Sequence, residues 1–367
     1  MNHSHQTSGA VNHLPRLRIA QIAPLYEPTP PKLYGGTERV VSHITEELVR
    51  RGHEVTLFAS GDSVTRANLE PGCPRALRLA GISEAGLPLH LSMLSDAYTH
   101  AAQRFDIIHS HLDYWSFPLA EMSEIPSVAT LHCCLDAEEL RPVYARYRNH
   151  PVVSISDSQR RPLPFMNWVA TVHHGLPRDL LKFNATPRGY LAFLGRMSRE
   201  KRPDLAIAIA LRAGIPLMIA AKIDLTEQGY FDHEIKPLMN SDLIEYVGEI
   251  NDSQKADFLG NAIALLFPID WPEPFGLTMI EALACGTPVI ARPCGSVPEV
   301  IEHGLTGFVA ESVDELAAAV TRVDELSREN CRAEFERRFT VETMVDRYEH
   351  VYRELISRRD LKASRVQ

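Results

Sequence analysis

The chain has 367 residues, 45% of them hydrophobic and 23% charged, and a formal net charge of −9. That length suffices for two domains with separate cores, and the acidic balance argues against general affinity for nucleic acid or anionic membranes. No apolar run approaches the ~20 residues of a membrane span. Residues 1–15 are polar and His-rich with no apolar core, so they read as a disordered tail and not a signal peptide. The six cysteines (Cys73, Cys133, Cys134, Cys285, Cys294, Cys331) show no Cys-x-x-Cys spacing, which suits reduced thiols in a cytoplasm.

Residues 17–23 form an apolar run that predicts a buried strand. Pro24, Pro28, Pro30 and Pro31 exclude regular structure from the loop that follows, up to Tyr34. Gly35-Gly36-Thr37-Glu38 then opens a helix with Val40, Val41, Ile44 and Leu48 on its inner face, ended by Gly52. With a strand over 54–59 this is a βαβ unit that carries a glycine pair at its first turn. Glycine lets backbone approach a ligand, and a helix start favours an anion. The dinucleotide signal Gly-x-Gly-x-x-Gly is absent.

Residues 64–89, with Pro71, Pro74 and Pro88, read as irregular. A helix over 91–104 leads into a strand over 106–110, at whose carboxyl end stand His109, His111 and Asp113. A strand over 126–131 ends in His132-Cys133-Cys134-Leu135-Asp136. Strand carboxyl ends are where ligands bind in a doubly wound sheet. The cluster invites a zinc reading, although no helical His-x3-His or paired Cys spacing supports it. Strands over 151–155 and 168–172 follow, and the domain boundary is placed at His173-His174-Gly175-Leu176-Pro177.

A strand over 190–194 opens a second sheet and runs into Gly195-Arg196, with Lys201 five residues beyond Arg196 and a helix that ends at Gly214. Arg supplies a rigid fork for phosphate oxygens and Lys a mobile point charge. Further strands are expected over 215–221, 243–247 and 263–267; the second ends in Tyr246-Val247-Gly248-Glu249, where backbone groups, those of Val247 and Gly248 above all, can face a base. After the third comes Asp270-Trp-Pro-Glu273-Pro274-Phe275-Gly276-Leu277, with Glu281 four residues on. The prolines stop the strand, and Pro274 is placed in the first turn of a helix that runs to Gly286. Residues 287–291 are the next strand.

Glu281 then sits among Met279, Ile280, Ala282 and Leu283, where a carboxylate is costly unless satisfied. Glu273 lies roughly 12 Å from it along the axis, at ~1.5 Å per residue. Helical side chains lean toward the N-terminus, so both carboxylates face one ligand laid along the first turns. Free N–H groups at the helix start give that ligand an anion site. A molecule with hydroxyls at both ends and a negative charge between them fits, and a sugar nucleotide is such a molecule. A final helix is expected from Val341 to about Leu361.

The Glu-x7-Glu spacing followed by Ala-x2-Cys-Gly-Thr-Pro-Val-Ile-Ala resembles the family-4 glycosyltransferases (glycosyl transferases group 1), retaining enzymes of the GT-B fold. The resemblance implies an α/β fold of two doubly wound Rossmann-like domains facing a cleft: an acceptor domain over 16–175, a donor domain over 176–340, and a C-terminal helix over 341–367 packing back on the first. It gives Glu273 the hydroxyls of the donor sugar and Glu281 the ribose, within a donor loop that includes Pro274, Phe275, Gly276 and Leu277. Gly-Arg-x4-Lys resembles the family's diphosphate grip, at Arg196 and Lys201. Gly35 and Gly36 match its glycine pair near the donor phosphates, and His132 matches its histidine near the donor sugar. Where the family has Asn-Gly-hydrophobic-Asp at the domain crossing, this chain has His174-Gly175-Leu176-Pro177.

The implied activity is transfer of a sugar from a nucleotide-diphosphate sugar, a UDP-sugar favoured, with retention of anomeric configuration and no cofactor. The acceptor (a small molecule, glycan or lipid-linked sugar) would be held by loops 26–34 and 64–89. No Asp-x-Asp pair stands at a strand end to hold a metal on the diphosphate, so the reaction is expected to be metal-independent. Two carboxylates would also serve a hydrolase, although Glu281's apolar helix fits ribose binding better. An epimerase of the same architecture, or a sensor that binds sugar nucleotides without turnover, are the alternatives.

Overall fold

The computed structural model describes residues 16–32 and 35–364. The expected tail, residues 1–15, and Tyr34 lie outside the described residues. Two parallel sheets carry the fold. The first contains β1 (Arg18–Ile22), β2 (Glu54–Ser60), β3 (Asn68–Cys73), β4 (Ile107–Ser110), β5 (Ser127–Thr130), β6 (Pro151–Ser154) and β7 (Asn167–Thr171), in the order β3-β2-β1-β4-β5-β6-β7. The second contains β8 (Tyr190–Arg196), β9 (Leu217–Lys222), β10 (Ile244–Gly248), β11 (Ala262–Phe267), β12 (Val289–Ala291) and β13 (Gly307–Val309), in the order β10-β9-β8-β11-β12-β13.

Helices cover both faces, so the inner strands are buried along their whole length with no alternation: β4, β5 and β12 are buried at every residue, the polar His109, Ser110, Ser127 and Thr130 included. The strand order reverses between β1 and β4 in one sheet and between β8 and β11 in the other. Each reversal parts the flanking crossovers and leaves a crevice at the strands' carboxyl ends.

Three expectations need correction. Residues 64–89 are not irregular throughout: β3 pairs in parallel with β2 at the sheet edge. Its Asn-Leu-Glu-Pro-Gly-Cys has neither alternation nor an apolar run, and the edge position tolerates Pro71, which lacks an N–H. The helix over 91–104 is two helices, Gly86–Tyr98 and Ala101–Arg104, broken where His100 takes φ 54. The helix before Gly286 runs over Leu277–Ala284, not from Pro274. Gly276 holds φ 80 immediately before it, a left-handed conformation that costs glycine little and cannot lie within a helix.

The last helix, Val341–Ala363, begins beside the second sheet and packs on the first. Val341, Met344, Val345, Tyr348, Val351 and Tyr352 join Ile19, Ile44, Leu48, Ile107 and Val128 in one core. The two passages of chain between the sheets touch: Leu176 bridges Thr340, the Leu176 N–H donates to the Phe339 carbonyl at 2.9 Å, and the Val341 N–H donates to the Leu176 carbonyl at 2.9 Å. Gly175 lies in this contact. A Cβ there would sit 2.2 Å from the Thr340 carbonyl oxygen, and neither backbone can yield without parting the passages. Gly175→Ala should therefore destabilise the protein by about 1–3 kcal/mol, the usual range for overpacking. Gly229, whose added Cβ meets nothing within 4 Å, provides the control. Equal melting temperatures for Gly175→Ala and Gly229→Ala would refute the argument.

Candidate functional site

One cleft of about 810 Å³ gathers both crevices. One wall is built from residues just past β1, β4 and β5 and from the start of the helix Gly36–Arg50. The other is built from the ends of β8 and β11 and the start of the helix Leu277–Ala284. Two helix N-termini, at Gly36-Thr37 and Leu277-Thr278, thus line one cavity, each with free amides and a partial positive charge.

Gly35, Gly36, His132, Arg196, Lys201 and Glu273 all line the cleft, and so do Pro274, Phe275, Gly276, Leu277 and Glu281. Of the segment Tyr246-Val247-Gly248-Glu249, Glu249 lines the cleft, with Ile250 beyond it, whereas Val247 and Gly248 do not. Gly248, at the end of β10, takes φ 82.

Because the helix starts at Leu277, Glu273 stands in the loop before it. That loop is tightly held. The Ser296 N–H donates to the Glu273 carbonyl at 3.0 Å, and Ser296 Oγ donates to the Phe275 carbonyl at 2.8 Å. A Cβ on Gly295 would lie 2.3 Å from the Glu273 nitrogen, so only glycine permits the approach. The Glu273 carboxylate accepts from Trp271 Nε1 at 2.8 Å and pairs with Lys201. Lys201 Nζ also sits 4.8 Å from the centre of the Trp271 ring, a cation–π contact. Arg196 bonds Glu200 at 2.7 Å.

Glu281 is 3% exposed. Its Oε1 accepts from Lys255 Nζ at 2.7 Å, while Oε2 is buried with no hydrogen-bond partner among the described residues. Thr278 Oγ1, one turn earlier on the same helix, is buried and unpartnered in the same sense. Lys255 lies 3.3 Å from Asp252 as well, and Asp252 pairs with Arg39 on the opposite wall. The carboxylate is thereby connected to both sheets. No motif marked Lys255; the sole hint in the sequence was that a buried Glu281 requires a cation.

The opposite wall is a row of histidines, His111 and His174 buried and His132 half-buried. His111 Nδ1 and His132 Nε2 share a hydrogen bond at 2.9 Å, and the His132 ring stacks on His174 with centroids 5.3 Å apart. Burial holds His132 down to about 3 and His174 and His111 well below the usual imidazole range, so all three are neutral at pH 7. Asp113 was expected only as part of a metal cluster. It takes φ 46, and its Oδ1 accepts the His132 N–H at 3.2 Å. Burial pushes its carboxyl up to about 6 and that of Glu38, on the same wall, up to about 7.

The zinc reading fails on this geometry. His111 and His132 are hydrogen-bonded to each other through one ring nitrogen each, and among the described residues no group of three or more His, Cys, Asp or Glu side chains is placed to hold a metal ion. The thiols of Cys133, beside Asp113, and of Cys134, by burial, are pushed up to about 12, against the thiolate form a metal needs.

Comparison with known proteins agrees with this architecture. Residues 182–339 match the family Glycosyl transferases group 1, and residues 34–150 match Glycosyltransferase Family 4. D-inositol 3-phosphate glycosyltransferase of Mycolicibacterium smegmatis is 24% identical over 345 residues, covering 80% of this chain and 79% of the relative. Glycogen synthase of Mycobacterium tuberculosis is 24% identical over 348 residues, covering 80% and 83%. Among solved structures, sucrose-phosphate synthase from Thermosynechococcus elongatus superposes with a TM-score of 0.76 at 20% identity, over 92% of this chain and 99% of that one. Anabaena HepE in complex with UDP superposes at 0.73 and 18% identity, over 92% and 100%. At these identities the structures establish the fold alone, and it is GT-B. Together with the two family matches, this makes the chain a member of the family-4, group 1 glycosyltransferases.

Proposed function

We propose that the protein transfers a sugar from a nucleotide-diphosphate sugar, preferably a UDP-sugar, to a hydroxyl-bearing acceptor with retention of anomeric configuration. The observation that carries this reading is Glu281. It is a buried carboxylate with one oxygen on Lys255 and the other without a partner, one turn inside a helix whose start lines the same cleft. A pair of ribose hydroxyls would supply the missing donor. The diphosphate would then lie at the free amides of Leu277 and Thr278, beside Arg196 and Lys201. Glu273, anchored by the Gly295–Ser296 loop, would take the hydroxyls of the sugar. His132 and the Gly35-Gly36 turn would close on it from the other wall.

Charge builds on the diphosphate as the glycosidic bond breaks, and preorganised cations and helix amides stabilise that charge without reorganising. The departing phosphate would accept the acceptor's proton, so no side-chain nucleophile is required. The preference for uridine rests on a likeness to HepE, whose structures hold UDP or UDP-glucose. We divide the chain into an acceptor domain over 16–175, a donor domain over 176–340 and the C-terminal helix from 341. Six free cysteines favour a reducing compartment, and no described helix is long and apolar enough to cross a membrane.

The decisive measurement is release of UDP from a panel of UDP-sugars, with and without candidate acceptors. No turnover of any nucleotide sugar with any acceptor would overturn the reading, and conversion of the donor in the absence of acceptor would replace it with epimerisation. Glu281→Gln, whose neighbour Lys255 retains Asp252, should weaken UDP binding in calorimetry by about tenfold or more, since a charge-assisted hydrogen bond is worth roughly 1.5–3 kcal/mol. Lys201→Ala should lower kcat at saturating donor by ~10²–10³, the cost of one preorganised charge donor; a normal kcat would make Lys201 a structural partner of Glu273 only. Transfer should persist in excess EDTA, because cations and helix amides occupy the place of a metal. Complete loss restored by a divalent ion would contradict this.

A further inference from the structure

The histidine wall has an order that transfer itself does not require. Five side chains from β1, the ends of β4 and β5, and the C-terminal helix form one buried hydrogen-bonded chain. Gln21 stands at its centre. Its Oε1 is 2.9 Å from His111 Nε2. Its Nε2 donates to the Tyr352 hydroxyl at 3.0 Å and lies 3.4 Å from His109 Nδ1. Tyr352 is in turn 2.7 Å from His109 Nδ1, and His109 Nε2 is 2.8 Å from Thr130 Oγ1.

An amide oxygen accepts and never donates. His111 Nε2 must therefore carry its hydrogen, and as a neutral ring it has a bare Nδ1. That lone pair can accept only from His132 Nε2–H. His132, also neutral, is left with a bare Nδ1, which has no hydrogen-bond partner among the described residues. On the other side, Tyr352 and the Gln21 amide converge on His109 Nδ1, which turns the His109 hydrogen toward Thr130. Every proton follows from the orientation of one amide, whose nitrogen faces Tyr352 and His109 and whose oxygen faces His111.

We propose that Gln21, backed by Tyr352, is a positioning residue that fixes His132 as its Nε2–H tautomer, so that the ring offers the cleft a hydrogen-bond acceptor. Its ligand partner is then a group that donates, a sugar hydroxyl and not a phosphate or carbonyl oxygen. This rests on the reading of the cleft as a sugar-nucleotide site, but the measurement of the tautomer does not.

Histidine-¹⁵N-labelled protein without ligand at pH 7.5 gives the tautomer directly from ring nitrogen shifts in a long-range ¹H–¹⁵N spectrum, with His132 assigned by its loss in His132→Asn. The expected result is a protonated Nε2 and a pyridine-type Nδ1 for His132. In Gln21→Leu the two forms should mix, with kcat/KM lowered by about fivefold to tenfold, as for loss of one neutral hydrogen bond. Tyr352→Phe, which keeps the ring and its packing, should mix them partly. A His132 that carries its hydrogen on Nδ1 in the unaltered protein overturns the proposal, as does an unchanged tautomer in Gln21→Leu. The expected tautomer in a protein that turns over no nucleotide sugar would overturn the proposed function and leave this inference standing.

Discussion

The cleft is governed by the cost of keeping two carboxylates out of water. An unpaired buried charge costs several kcal/mol, and removing one partner of a buried pair typically costs 3–5 kcal/mol. Each carboxylate therefore holds a lysine, Glu273 with Lys201 and Glu281 with Lys255. The consequences reach beyond the site. Lys255 must approach Glu281, which sets where the helix Asp252–Gly260 begins; Asp252 at that start then meets Arg39 of the first half. Lys201 must approach Glu273, which fixes the turn after β8, and the Asp270 N–H bonds the Glu200 carbonyl at 3.0 Å beside it. The loops on both sides of the second switch point are thus located by charge pairing as much as by packing.

On the proposed reading, a donor diphosphate would not enter a cationic pit. Arg196 and Lys201 are already paired with Glu200 and Glu273, and binding would have to replace some of these carboxylate contacts with phosphate ones. Interactions made mostly as charge develops on the leaving group raise kcat, whereas equally strong ones made throughout lower KM alone. The opposite wall is arranged for different chemistry. Its histidines are neutral, and two of its carboxyls, Glu38 and Asp113, titrate above their ordinary range because burial disfavours their charge. The lysine–carboxylate pairs sit on the second sheet's wall of the cleft, whereas the first sheet's wall combines neutral histidines with Arg39, which pairs across to Asp252.

How much of this was legible depended on how far apart in sequence the cooperating groups lie. Glu273, Glu281, Arg196 and Lys201 could be read because each pair sits within one strand-turn-helix unit, where spacing fixes geometry. The alternation of strands and helices, and hence the doubly wound class, was legible for the same reason. Lys255 with Glu281 is 26 residues away, and Arg39 with Asp252 is 213; only the strand order brings them together, and no local pattern encodes that. The helix was expected to start at Pro274, with Glu273 at its entrance, because proline suits a first turn, yet the φ 80 of Gly276 delays the helix by three residues. β3 escaped because Pro71 and Gly72 break every pattern a strand follows, and an edge position forgives both. The histidines were visible as a cluster, but a cluster's composition does not reveal which lone pairs are already taken.

The C-terminal helix ties these levels together. Its apolar stripe needs the first sheet to be buried at all, since Tyr348 and Tyr352 are fully buried there. Those two residues carry hydroxyls that cannot be left unpaired in a core. Thr130, His109 and Gln21 satisfy them. A polar chain that begins as the price of burying two tyrosines thereby ends at His132 in the cleft. The same helix begins where the chain's two passages between the sheets lie side by side, at Leu176 and Thr340. Val341, which opens the helix, is hydrogen-bonded to one of those passages. The element that closes the core of the first half therefore also touches both its buried polar chain and the crossing between the two halves.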